Sequence, residues 1–317
     1  MTGFLEVLRR RLHLSANDQD AFNVWGDRAR ERQNADRNVI AWTDSLVVSR
    51  RYIHPAISGD ADSNWLDWIM KRYFSQPAGL ALDIGCGDGG LDRHALAAGL
   101  ARRVEAVDAS QGAVDLAGEL ARAHGLGDRV QYSVADLNTH TFEPGRYDAA
   151  LASMAVHHIR ELEHFYSQLH RALKPGALFV MNEFVGPNQF QWTDRQLELA
   201  TDLLRRIPEH YRRSLVSGHL KSRATRQTIS HMNAVDPTEA VRSADIVPLL
   251  NSQFDLVERV DYGGTLLNLV LEEIAGNFQD TAEDLAVLQP LFDAERDYLK
   301  SGEITSDFTV LVARARR

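Results

Sequence analysis

The chain has 317 residues, of which 44% are apolar and 25% charged, and its formal net charge is −9. That length holds one large domain or a core with a substantial cap, and the acidic balance speaks against nucleic acid as a partner. Cys86 is the only cysteine, so an intrachain disulfide is excluded and a reducing, cytoplasmic setting is expected.

Residues 1–75 read as helical and aromatic-rich, with Trp25, Trp42, Trp65 and Trp68. Phe4, Leu5, Leu8 and Leu12 share one helical face beside Arg9, Arg10 and Arg11. Packing on the protein's own body is the expected use of that face, with an anionic membrane surface as the alternative. No apolar run approaches the ~20 residues of a transmembrane helix. Ser63 or Asn64 caps a helix running to Tyr73, which Gln76-Pro77-Ala78-Gly79 breaks.

From about residue 80 strands and helices alternate. Strands are predicted over 79–84, 103–108, 130–134, 147–153 and 177–184, with helices over 90–99, 110–124 and 161–173. Leu173-Lys174-Pro175-Gly176-Ala177 is expected as a sharp turn into the fifth strand. Residues 187–243 then turn helical, as over 193–206, before a late strand pair over 254–262 and 307–313, with helices over 266–278 and 281–299 between them. The pattern predicts an α/β fold: a mostly parallel seven-stranded sheet with helices on both faces. Its core is 76–185 with 244–263 and 304–317. A helical cap comes from 1–75, 186–243 and 264–303, placed as a lid over the sheet's carboxyl edge, a dimer interface, or both.

The most informative stretch is Asp83-Ile84-Gly85-Cys86-Gly87-Asp88-Gly89-Gly90. A buried strand ends there in a glycine turn whose backbone admits close approach by a ligand. Gly85, Gly87 and Gly90 satisfy the dinucleotide fingerprint, and Asp108 follows at the end of the second strand. On these residues alone a nicotinamide enzyme stays open. Asp83 disfavours it, because a carboxylate before the first glycine repels a pyrophosphate and suits an ammonium. Asp136, closing the third strand, is placed to accept from an adenine amino group.

In register, these segments resemble the motifs of class I S-adenosylmethionine-dependent methyltransferases. The first is Asp83 to Gly89, the second Val107-Asp108-Ala109-Ser110 and the third Ala135-Asp136-Leu137. The fourth runs from Tyr147-Asp148-Ala149-Ala150 to His157-His158-Ile159, and Leu173-Lys174-Pro175-Gly176 precedes the fifth strand. The agreement covers roughly residues 70–185, and the late strands fit that family's antiparallel pair. The histidine-rich fourth motif is most similar to small-molecule members related to ubiquinone and menaquinone biosynthesis.

The resemblance implies a Rossmann-like core with S-adenosylmethionine as cofactor. Asp83, Gly85, Cys86 and Gly87 would hold its amino-acid end, and Asp108 and Ala109 its ribose. Asp136 and Leu137 would read adenine, and Ser153 and Met154 would line the methyl channel. A small-molecule acceptor is expected. Oxygen is slightly favoured over nitrogen or carbon, because His157 or His158 beside the methyl position is a plausible base. Glu183 is a third candidate for the chemistry. Arg51, Tyr52, His54, Trp192 and Tyr262 are the candidate acceptor contacts. No metal is implied, since His157 and Glu161 lack a third ligand at convincing spacing. The alternatives are a catalytically silent cofactor-binding module and, behind it, an NAD-dependent oxidoreductase.

Overall fold

The computed structural model describes residues 26, 27, 30 and 39–316; the amphipathic face of Phe4 to Leu12 and Trp25 lie outside them. Seven strands form one sheet in the order β3-β2-β1-β4-β5-β7-β6. They are β1 (Ala78–Ile84), β2 (Ala101–Asp108), β3 (Val130–Val134), β4 (Tyr147–Ser153), β5 (Leu173–Phe184), β6 (Phe254–Gly263) and β7 (Phe308–Ala315). β1 to β5 are parallel, and β7 inserts antiparallel between β5 and β6.

The sheet is apolar on both faces because it is covered on both. Leu82, Ile84, Ala150, Ala152, Phe179 and Met181 pack with the helices Leu162–Ala172 and Ile246–Gln253. Ala81, Ala149, Leu151, Val180, Val310 and Val312 face the other way, into a core shared with the cap. The alternation along each strand is the two-residue period of the pleat.

Helix ends follow their sequence signals. Asn64 caps Trp65–Tyr73 through the N–H groups of Leu66 and Asp67, and Ser110 caps Gln111–Ala123. Thr193 and Gln196 form a reciprocal capping box at the start of Asp194–Arg205.

Two expectations need correction. The Lys174-Pro175-Gly176 turn lies inside β5 as an irregularity: Tyr147 pairs with Leu173, but Ala149 already pairs with Leu178. Gly176, at φ +82°, absorbs the extra residues. The helix expected from Leu266 to Phe278 stops at Leu271, and a short 3₁₀ turn follows at Ala275–Asn277.

The cap joins the carboxyl edge of the sheet through aromatic packing. Trp42 meets Phe308 edge-on at 5.2 Å, and Phe308 meets Phe184 at 5.3 Å. Tyr52 packs on Phe292 at 5.2 Å. Gly264, at φ +85°, permits this closure, since a Cβ there would overlap Trp42 and Phe308.

Candidate cofactor and active site

β1 and β4 are neighbours, yet β1 leads to β2 on one side and β4 is followed by β5 on the other. This is the switch point, where open α/β sheets bind ligands at the strands' carboxyl ends. The glycine loop after β1 and the histidine loop after β4 meet there. Gly85 lies at φ +64°, and a Cβ on it would overlap the Ala155 methyl. Gly87 is also left-handed, at φ +56°, but a Cβ there meets nothing within 4 Å. One glycine lets two loops touch; the other leaves space above the loop.

Asp108 ties this loop to β2. Its Oδ2 accepts from the Gly87 N–H at 2.9 Å and its Oδ1 from the Ser110 N–H at 2.8 Å. The residue is half-buried, and each carboxylate oxygen has accepting capacity beyond these bonds. Burial raises its pKa while those N–H donors oppose the rise. Asp136 is held similarly, its Oδ1 accepting from the Asn138 backbone and side-chain nitrogens. Ala109 and Leu137 are half-buried beside these acids, and Ser153 at the end of β4 pairs with Asn182.

Asp83 sits beneath the loop rather than on it. It is fully buried, and neither carboxylate oxygen has a hydrogen-bond partner. Burial first, then the charges of Asp92 and Asp108, push its pKa well up. Cys86 is buried and unpaired with another cysteine, and burial raises its thiol pKa. It is a small inert residue in the turn rather than a nucleophile.

The loop after β4 is built on Glu183. This fully buried carboxylate accepts from Ala155 N at 3.0 Å, Val156 N at 2.7 Å and Phe184 N at 2.7 Å. His157 Nδ1 lies 2.5 Å from its Oε1. Met154 opens the loop at φ +52°, a strained value for a residue with a side chain, and its N–H donates to Asn182 O. Glu183 thus holds the turn after β4 together, with its oxygens engaged by three backbone N–H groups and His157.

The two histidines differ sharply. His157 has Glu183 on Nδ1 and Glu239 3.5 Å from Nε2. Burial opposes its charge, but the two carboxylates outweigh it and raise the pKa to about 10. The two carboxylates therefore favour the charged form of His157. His158 is driven down to about 4 by burial and by the charge of His157. It is neutral, with Nδ1 3.2 Å from Thr238 Oγ1.

The expected acceptor contacts do not converge on this cleft. Arg51 is exposed in an ion pair with Asp280, and His54 Nδ1 bonds to Ala61 O. Tyr52 is buried in the aromatic packing of the cap. Trp192 is buried and donates from Nε1 to Asp307 at 2.7 Å. These four are structural. Tyr262 alone reaches the sheet's carboxyl edge, where its hydroxyl donates to Asn182 Oδ1 at 2.7 Å.

The sequence reading missed Asp236, Thr238 and Glu239. They lie on a cap loop whose Val241 N–H donates to His157 O. No motif marks them; only the folded path brings them to the histidines.

The cleft fits S-adenosylmethionine. Asp83 supplies a buried carboxylate, Gly87 the open space, and Asp108 and Asp136 half-buried carboxylates after β2 and β3. Residues 81–176 match the family described as a methyltransferase domain. The chain carries that domain, and S-adenosylmethionine is the cofactor of such domains.

Sterol 24-C-methyltransferase of Yarrowia lipolytica is 29% identical over 149 residues, 47% of this chain and 39% of that protein. The chain thus spans about two fifths of that relative. Among solved structures, the (4+2)-cyclase SpnF aligns with a TM-score of 0.54 at 17% identity, covering 95% of this chain and 97% of that one. A geranyl diphosphate methyltransferase, solved with geranyl diphosphate and sinefungin, aligns at 0.53 and 15% identity, covering 94% and 100%. These structural likenesses concern the fold, cap included. The sterol relative differs from the quinone-biosynthesis kinship that the fourth motif implied.

Proposed function

We propose that the protein transfers a methyl group from S-adenosylmethionine to a small-molecule acceptor, with carbon the favoured atom. The observation that carries the reading is Asp108, held by Gly87 and Ser110 at the end of β2 beside the switch point. The cofactor supplies a methyl carbon activated by its sulfonium. Asp108 would accept from the ribose hydroxyls, Asp136 from the adenine amino group, and the Gly85–Gly87 backbone would hold the amino-acid end beside Asp83. Met154, pinned by Asn182 and the Glu183-anchored turn, would form the wall beside the methyl. Alignment of this kind supplies up to ~7–11 kcal/mol in ideal cases. The cap, in this reading, serves as a lid that keeps water out.

The preference for oxygen rested on His157 or His158 as a base, and the two carboxylates beside His157 favour its charged form. Carbon is favoured by the sterol 24-C-methyltransferase likeness. Calorimetry with S-adenosylmethionine and S-adenosylhomocysteine tests the first claim: both should bind one per chain, and silence at millimolar ligand overturns it. Carbon NMR of the product from a carbon-13-labelled methyl donor separates C- from O- and N-methylation.

A second reading is a protein that holds the cofactor without spending it. The likeness to a cyclase across core and cap keeps it open, because one fold serves several chemistries. Recovery of the donor unchanged after acceptor turnover would favour it.

A further inference from the structure

We propose that His157, His158 and Glu239 form a binding site for a divalent transition-metal ion on the loop after β4. One ligand atom from each lies within 4.8 Å of the others. The proposal goes beyond methyl transfer and holds whichever reaction the cleft performs.

The hydrogen bonds behind each ring fix which nitrogen is presented. Thr238 donates its hydroxyl proton to Asp236 Oδ1 at 2.7 Å. A hydroxyl has one proton, so Thr238 Oγ1 can only accept from His158, which makes Nδ1 the protonated nitrogen. The lone pair of His158 is then on Nε2. His157 likewise donates from Nδ1 to Glu183, a carboxylate that only accepts, and this turns Nε2 toward Glu239. Both rings are thus oriented by an outer partner on Nδ1 with Nε2 presented. Metal-binding histidines are held in this manner, their second nitrogen donating to a carboxylate or another fixed acceptor.

The spacing agrees. His157 Nε2 and Glu239 Oε1 are 3.5 Å apart, long for a charge-assisted hydrogen bond. Two ligands each ~2.1 Å from a tetrahedral ion are ~3.4 Å apart. Two imidazoles and one carboxylate suit zinc, iron(II), cobalt(II) or manganese(II) rather than calcium or magnesium, which favour oxygen donors. The ion replaces the proton on His157 Nε2, which leaves to solvent. Three protein ligands leave a further position open for water or an oxygen of the acceptor, one loop from Met154.

The test uses the full chain without an affinity tag, stripped with chelator and titrated by zinc(II) and by cobalt(II). One equivalent should bind, and cobalt should show the visible absorption of a low-coordinate site. Glu239→Gln and His158→Ala should weaken binding at least 100-fold, and Thr238→Val about 10-fold. Unchanged circular dichroism and S-adenosylhomocysteine affinity would show that those variants fold. Absence of stoichiometric binding at 1 mM metal (order of magnitude above the weakest useful site) overturns the proposal, as does wild-type affinity in folded Glu239→Gln. If Glu239→Gln does not fold, Glu239→Asp, which keeps a carboxylate one methylene shorter, should still bind cobalt with an altered spectrum; an identical spectrum counts against the site.

Discussion

Asp108 does two jobs with one carboxylate, and the two can be separated. Its inward lone pairs hold Gly87 and Ser110, while its outer ones are assigned to the ribose. Charge-assisted hydrogen bonds contribute about 1.5–3 kcal/mol each. Asp108→Ala should therefore weaken S-adenosylhomocysteine binding about 100-fold or more, and Asp108→Asn, which keeps one acceptor oxygen, by less. Calorimetry on both variants reads this; equal and small losses would remove Asp108 from the ribose site. His157 and Glu183 show the limit of reading residues singly. A histidine pair after a strand looks like a base in sequence. The charges of Glu183 and Glu239 raise the pKa of the first of them against its burial, and a sequence carries no sign of which carboxylates will face a ring.

At the scale of elements, the two loops at the switch point depend on glycine for different reasons. Gly85 combines a left-handed backbone with a packing limit set by Ala155; Gly87 has the backbone restraint alone. Placing a side chain in the left-handed region costs about 1–2 kcal/mol, and overpacking adds about 1–3 kcal/mol. Gly85→Ala should lower Tm markedly and loosen cofactor binding as a consequence. Gly87→Ala should lower Tm by less than Gly85→Ala, through the backbone cost alone, but strongly reduce S-adenosylhomocysteine affinity, because its methyl enters the ligand's space. Thermal unfolding and calorimetry on the pair check this, and a loss of Tm without loss of affinity in Gly87→Ala would move the cofactor elsewhere. The motif spacing displays both glycines alike; only the neighbouring loop tells them apart.

At the scale of the whole molecule, the core was legible and the cap was not. β3 and β4 coincide with the residues expected, and the other strands differ only at their ends, because alternation and turn residues are local signals. The placing of Trp192, Tyr52 and the 236–241 loop depends on contacts between residues far apart in sequence, from 80 for His158 and Thr238 to 115 for Trp192 and Asp307, which no local pattern encodes. Trp192 and Asp307 illustrate this. The indole of the cap donates to a carboxylate at the start of β7, and Asp307 also receives Val185 into the sheet through its backbone oxygen. Burial raises the Asp307 pKa from 3.8 to about 6, against the Trp192 bond. A carboxyl raised on folding binds its proton more tightly in the native state. Its contribution is therefore fully present below pH ~4 and lost as the pH climbs through about 6. The change from 3.8 to about 6 corresponds to about 3 kcal/mol, an upper bound. Asp307→Asn keeps an acceptor for Trp192 and does not ionise. Its Tm relative to the wild type should rise between pH 4.5 and pH 7.5, by several degrees at most. A difference in Tm that stays flat across that range would mean that Asp307 ionises in the folded protein as it does in water, and that the joint between cap and sheet is wetter than its burial implies.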